Sequence, residues 1–173
     1  MSYVQQGGAV LDAEIRELEQ VRGCKRGSDR PMITIHLPGK PQGKGRPRAT
    51  VRGGHATMYT PAKTRSYEGE LKYFGQQAMG DRPPLLGPLS VVIVASFDVP
   101  ASWSRKKTAA ALRGEVRPTT KPDFDNLAKV CDALNGVVWK DDAQIVDGSV
   151  RKRYAREPGL RIEVRELDDP SLG

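Results

Sequence analysis

"LSVVIVASFDV", residues 89–99, is an almost unbroken apolar run. A strand with one solvated face alternates apolar and polar side chains, whereas a strand covered on both faces reads as a continuous run. This stretch therefore predicts an inner strand, buried on both sides, in a sheet covered by helices. It falls far short of the roughly 20 apolar residues that a membrane span requires, and no other run comes closer.

Towards the N-terminus, "YTPAKTRSYEGELKYFGQQAM" (59–79) predicts a helix, with Thr60 as cap, Pro61 in the first turn and Tyr67, Leu71 and Phe74 as its buried stripe. Before it, "MITIHL" (32–37) alternates strictly and places Ile33, Ile35 and Leu37 on one face of a strand. The intervening "PGKPQGKGRPRATVRGGH" (38–55) is rich in Gly, Pro and basic residues and reads as a loop. Residues 9–22, "AVLDAEIRELEQVR", carry Leu11, Ile15, Leu18 and Val21 at helical spacing, and "GCKRGSDRP" follows as a linker. Towards the C-terminus, "QIVDGSVRKRY" and "LRIEVREL" read as two strands joined by the turn "REPG", giving a C-terminal hairpin. The expected fold class is α/β: one domain over 29–167 with a small mixed sheet packed by helices, a helical extension and linker over 1–28, and a tail over 168–173. Strand order is not legible.

The chain has 173 residues and a formal net charge of +7. Its basic residues are segregated. From Arg30 through Arg65 there are eight Lys or Arg and no Asp or Glu; from Arg105 to Lys121, six basic residues face the single Glu115. Such segregation favours a polyanionic partner over a merely solvated surface. Lys40, Lys44, Arg46 and Arg48 are the foremost candidates for phosphate contacts, because the glycines beside them let the backbone follow a groove. Trp103, next to "SRKK", reads as a partly buried anchor or as a base-stacking platform. Cys24 and Cys131 form no CxxC pair and no hydrophobic leader opens the sequence, so free thiols and a cytoplasmic location are expected.

Against this basic background, "KPDFDNLAKVCDALNGVVWKDDAQ" (121–144) holds five of the 21 acidic residues. A helix ending at Gly136 would run back to about Asp125, with Phe124, Leu127, Val130, Cys131 and Leu134 on its apolar side and Asp125, Lys129 and Asp132 on one polar face. Asp123 precedes the first turn, and the short "GVVWK" return would bring Asp141 and Asp142 back towards the helix start, with Trp139 packed in the core. Carboxylates gathered in one cleft repel one another unless a cation shares the site, and a hard ion such as Mg²⁺ suits them. The plain alternative is that they are caps and surface charges. An EF-hand is a poor fit, since "DFDNLAKVCDAL" lacks the glycine and the glutamate such a loop needs. His36 and His55 are isolated, which speaks against zinc, and "GKPQGKGR" lacks phosphate-loop spacing, so no nucleotide cofactor is expected.

The segment 121–154 resembles the RusA family of Holliday-junction resolvases, often carried by phages and prophages. The shared pattern is a DxDN helix start, a lysine four residues after the second aspartate, an Asp-Ala-Leu turn, and a DD pair followed by Gln; "GKGRPR" and "YTP" extend the likeness from about Met32 to Val164. The resemblance implies an Mg²⁺- or Mn²⁺-dependent endonuclease of DNA recombination and repair, a homodimer that cuts four-way junctions by symmetric nicks. It puts the catalytic, metal-holding aspartates on Asp123, Asp125 and Asp142 and the essential lysine on Lys129. Phosphodiester hydrolysis suits this set, with carboxylates to hold the ion and a lysine to meet developing charge. Two other readings stay open: a DNA-binding protein that has lost catalysis, and a phosphohydrolase of small nucleotides.

Overall fold

The computed structural model describes residues 31–45, 48–52 and 55–168. The expected helix over 9–22 lies outside the described residues, as do Arg46 and the last residues of the expected tail. Strands β1 (Ile33–Pro38), β4 (Leu89–Asp98), β5 (Ile145–Ala155) and β6 (Gly159–Glu166) form a mixed sheet in the order β1-β6-β4-β5. β6 is antiparallel to both of its neighbours, and β4 runs parallel to β5. The 89–99 run is thus an inner strand, as its sequence predicts.

Register explains the core. Ile33, Val164 and Val91 form one cross-strand row, Ile35, Ile162 and Ile93 a second, and Leu37, Leu160 and Ala95 a third, all on one face. Helix α1 (Ala62–Met79) covers that face through Tyr67, Leu71 and Met79. Each fully buried aliphatic side chain contributes about 1.5–3 kcal/mol relative to exposure. On the reverse face Val94, Ser96 and Glu163 are also buried, so β4 is covered on both sides along much of its length. A second helix, α2 (Arg105–Leu112), lies against β5, with its N-cap Ser104 accepting from the Lys107 N–H. Among the described residues no helix is long and apolar enough to cross a membrane.

Four expectations need correction. The two C-terminal strands do not pair; β4 lies between them. β5 carries Asp147, Arg151, Lys152 and Arg153, a composition suited to a sheet edge, whereas the alternating Leu160, Ile162 and Val164 of β6 fit the interior. Second, the basic loop contains a two-stranded ribbon, β2 (Arg48–Arg52) with β3 (His55–Tyr59). Arg52 pairs with His55 across "GG", a hairpin signal that the reading of 38–55 as a loop passed over. Third, Pro61, not Thr60, occupies the N-cap of α1, with no side-chain cap bond.

The fourth concerns the site segment. Its α-helix, α3, spans only Phe124–Ala128 and tightens into a 3₁₀ stretch over Lys129–Leu134. The chain then turns at Gly136, whose φ of 73° is a left-handed value that glycine adopts without strain. Leu127, Val130, Cys131 and Leu134 are buried as expected, but Phe124 is 64% exposed.

Candidate active site

The start of α3 is held from beneath. Lys152, on β5, donates to the Pro122 carbonyl at 3.0 Å and also to the Thr120 carbonyl. Leu127 is fully buried, so α3 is anchored to the sheet by its middle while its first turn faces outward. Asp123 is the N-cap residue, yet its carboxylate makes no cap bond. An N-cap aspartate usually satisfies a backbone N–H of the first turn, worth about 1 kcal/mol. Here that stabilisation is forgone, and the carboxylate is left available. Two residues on, Asp125 accepts a hydrogen bond from Lys129 at 3.1 Å, which holds its carboxyl below the ordinary aspartate range.

The DD pair divides its labour. Asp141 is the N-cap of a short 3₁₀ turn, Asp142–Gln144: the Ala143 N–H donates to Asp141 Oδ1 at 2.9 Å, and the Asp141 N–H donates to Gln144 Oε1 at 2.9 Å. Gln144 then spends its amide on the Leu85 and Gly87 carbonyls, at 3.0 and 2.9 Å. Asp142 is exposed and has no side-chain partner among the described residues. The Gln that follows the pair is therefore an anchor, a role that its place in the motif did not disclose.

Trp139 fixes the return segment. It is completely buried, and its indole N–H donates to Asn135 Oδ1 at 2.6 Å. Backbone bonds from Leu85 to the Val138 carbonyl and from Lys140 to the Leu85 carbonyl lay residues 138–140 beside Leu85. Burial pushes the Cys131 thiol up to about 12, and the negative charges of Asp132 and Asp142 add to the effect.

The carboxylates fit a hard cation in kind: all are oxygen donors, Asp123 and Asp142 have no competing side-chain partner among the described residues, and Asp125 has only an exposed one. They are not gathered around a common point. Among the described residues no three His, Cys, Asp or Glu groups stand together as an ion's ligands.

The basic candidates are dispersed. Lys40 is exposed beyond Gly39, whose φ is 94°. Arg48 opens β2. Lys44 behaves differently: its ammonium donates to Asp132 Oδ2 at 2.7 Å and lies 3.6 Å from Glu68 Oε1. Trp103 packs edge-on against Tyr154 with ring centroids 5.1 Å apart, and the Lys107 ammonium sits 3.8 Å from its ring centre. That is the anchor of its two readings. His36 lies exposed on β1, and His55 opens β3.

Residues 38–165 match the sequence profile of endodeoxyribonuclease RusA, a span that includes every aspartate and lysine considered above. The uncharacterized protein YqaN of Bacillus subtilis (strain 168) is 40% identical over 140 residues, covering 78% of this chain and 96% of that protein.

Proposed function

Since this chain belongs to the RusA endodeoxyribonuclease family, a family that acts on branched DNA, we propose that it resolves four-way junctions by paired, symmetric, Mg²⁺-dependent nicks during recombination and repair, with Mn²⁺ as a substitute. Asp123, Asp125 and Asp142 hold the ion. Lys129 is the catalytic cation, and Lys40, Arg46 and Arg48 bind phosphates. The observation that carries this reading is the contrast within the acidic segment. Asp141 and Asp132 are consumed by a cap and an ion pair, while the carboxylates of Asp123 and Asp142 have no side-chain partner or cap bond among the described residues.

A bound divalent ion supplies Lewis-acid activation of water and neutralises charge at the phosphate. The chain's own residues do the rest. The anchored Leu127 and the Lys152 bonds fix the backbone that carries Asp123 and Asp125, so that only their side chains would need to turn to hold an ion. Trp139 and Gln144 hold the turn that presents Asp142. The exposed Lys129 side chain turns from Asp125 to the scissile phosphate and stabilises the departing oxygen. This exchange needs little energy, because the Lys129–Asp125 pair is open to water.

The test is a synthetic four-way junction with and without Mg²⁺, beside linear duplex and free-nucleotide controls. Metal-dependent cleavage of the junction alone is expected. Binding without cleavage would favour a DNA-binding protein that has lost catalysis, and turnover of nucleotides would favour the phosphohydrolase.

A further inference from the structure

The "GKG" triplet at 43–45 is built into the site segment rather than displayed beside it. The Lys44 backbone N–H donates to the Asn126 carbonyl in α3 at 2.9 Å. Its side chain reaches Asp132 on the 3₁₀ stretch at 2.7 Å and approaches Glu68 of α1 at 3.6 Å. The two glycines are required by space. A Cβ on Gly43 would stand 2.8 Å from the Cβ atoms of Asn126 and Pro122, and one on Gly45 would stand 2.6 Å from Thr64 Oγ1. The backbone thus threads between α1 and α3, and the lysine in the middle grips both.

We infer that Lys44 is a positioning residue: it staples the root of the β2–β3 ribbon to the segment carrying Asp123, Asp125 and Lys129, so that DNA held on the ribbon meets the aspartates in register. The inference rests on the nuclease reading of that segment. A lysine acting as a phosphate contact needs a free ammonium. This one is partly buried and lies between two carboxylates. Without it, Asp132 and Glu68 would lose a shared counter-charge next to the site, and the ribbon would keep only the backbone bond to Asn126 and the glycine packing.

The test uses the full chain with Lys44→Met, which keeps the aliphatic stem, the near-isosteric Asp132→Asn, the double variant, and Lys44→Arg. On a four-way junction at saturating enzyme, each single variant is expected to lower the single-turnover cleavage rate at least tenfold. The double variant should be no slower than the slower single, and Lys44→Arg should recover part of the rate. The slope of log affinity against log salt should not change. A slope reduced by about 0.9 in Lys44→Met, with Asp132→Asn cutting normally, would overturn the staple in favour of a direct phosphate contact. Should wild-type protein not cut junctions, the nuclease reading fails, but the staple is still decided by unfolding midpoints. Non-additive losses of Lys44→Met and Asp132→Asn support it, and additive losses overturn it.

Discussion

Lys129 donates to Asp125 Oδ2 at 3.1 Å across one turn, and both side chains are more than half exposed. An exposed pair of this kind adds little to stability. Lys129→Met should therefore leave the unfolding midpoint within error of wild type while lowering junction cleavage by about 10²–10³, the usual loss when one charge-stabilising donor is removed. The bond holds the Asp125 carboxyl below its ordinary value. Its small contribution is thus present in full above that value, neutrality included, and lost as pH falls through the folded one, so this pair should give stability no pH dependence near neutrality. A large loss of stability at pH 7 would mean the lysine is structural.

The two members of the DD pair should part company under mutation. Asp142→Asn should abolish cleavage and leave junction binding equal or slightly tighter, because removing negative charge cannot weaken attraction to phosphate. Asp141→Ala should lower stability by about 0.5–2 kcal/mol through loss of its cap, with a smaller effect on cleavage. Chemical denaturation and single-turnover cleavage, run on both variants, check the division. Full cleavage by Asp142→Asn would remove it from the site.

This division was not legible beforehand, and the reason is physical. Sequence gives the identity of two adjacent carboxylates but not which one turns back to its own backbone. That depends on Gln144 reaching Leu85 and Gly87, residues distant in the chain. Period-two alternation did reveal β1 and β6, and the unbroken run revealed β4, because burial is a local signal in a strand. Strand order was hidden, since "REPG" serves equally to close a hairpin or to carry the chain past an intervening strand. The fate of Lys44 was hidden for a like reason. A lysine between glycines looks the same whether it faces phosphate or an aspartate 88 positions away.

Trp139 connects core to chemistry. It is fully buried and donates to Asn135 at 2.6 Å. Trp139→Phe should cost about 1–3 kcal/mol, since it leaves a void and deprives Asn135 of its donor. The cleavage rate should fall as well, because the return segment presenting Asp142 loosens. Stability measured by denaturation and cleavage measured at full folding separate the two effects. Normal cleavage by the folded variant would show that the aspartate turn is held by Gln144 alone.

The Lys44–Asp132 bond has a predictable alkaline limit. The Lys44 pKa is raised above the ordinary lysine value of 10.5, chiefly by the hydrogen bond to Asp132. A raised pKa contributes stability that is complete below 10.5 and lost as pH rises through the folded value. Coupling between Lys44→Met and Asp132→Asn in unfolding midpoints should thus be the same at pH 7 and pH 9. A coupling that faded between those values would show that the ammonium is not held as described.

Assembly is the remaining prediction. A four-way junction has approximate two-fold symmetry, and resolution needs matched nicks in two opposing strands. One chain holds one set of Asp123, Asp125, Asp142 and Lys129, hence one nick per binding event. A C2 homodimer provides two such sets related by the symmetry of the substrate. The apolar residues of β4 are not available for that interface, because β4 lies between β5 and β6 and buries Val91, Ile93, Val94, Ala95 and Phe97. Exposed apolar side chains outside the core, Met58 and Tyr59 on β3 and Phe124 on α3 among them, are the remaining material. The expected mass by sedimentation is near twice 19.0 kDa, with nicks placed symmetrically about the junction centre. A strictly monomeric protein that nicks one strand per junction would overturn the resolvase reading, even with metal-dependent nuclease activity intact.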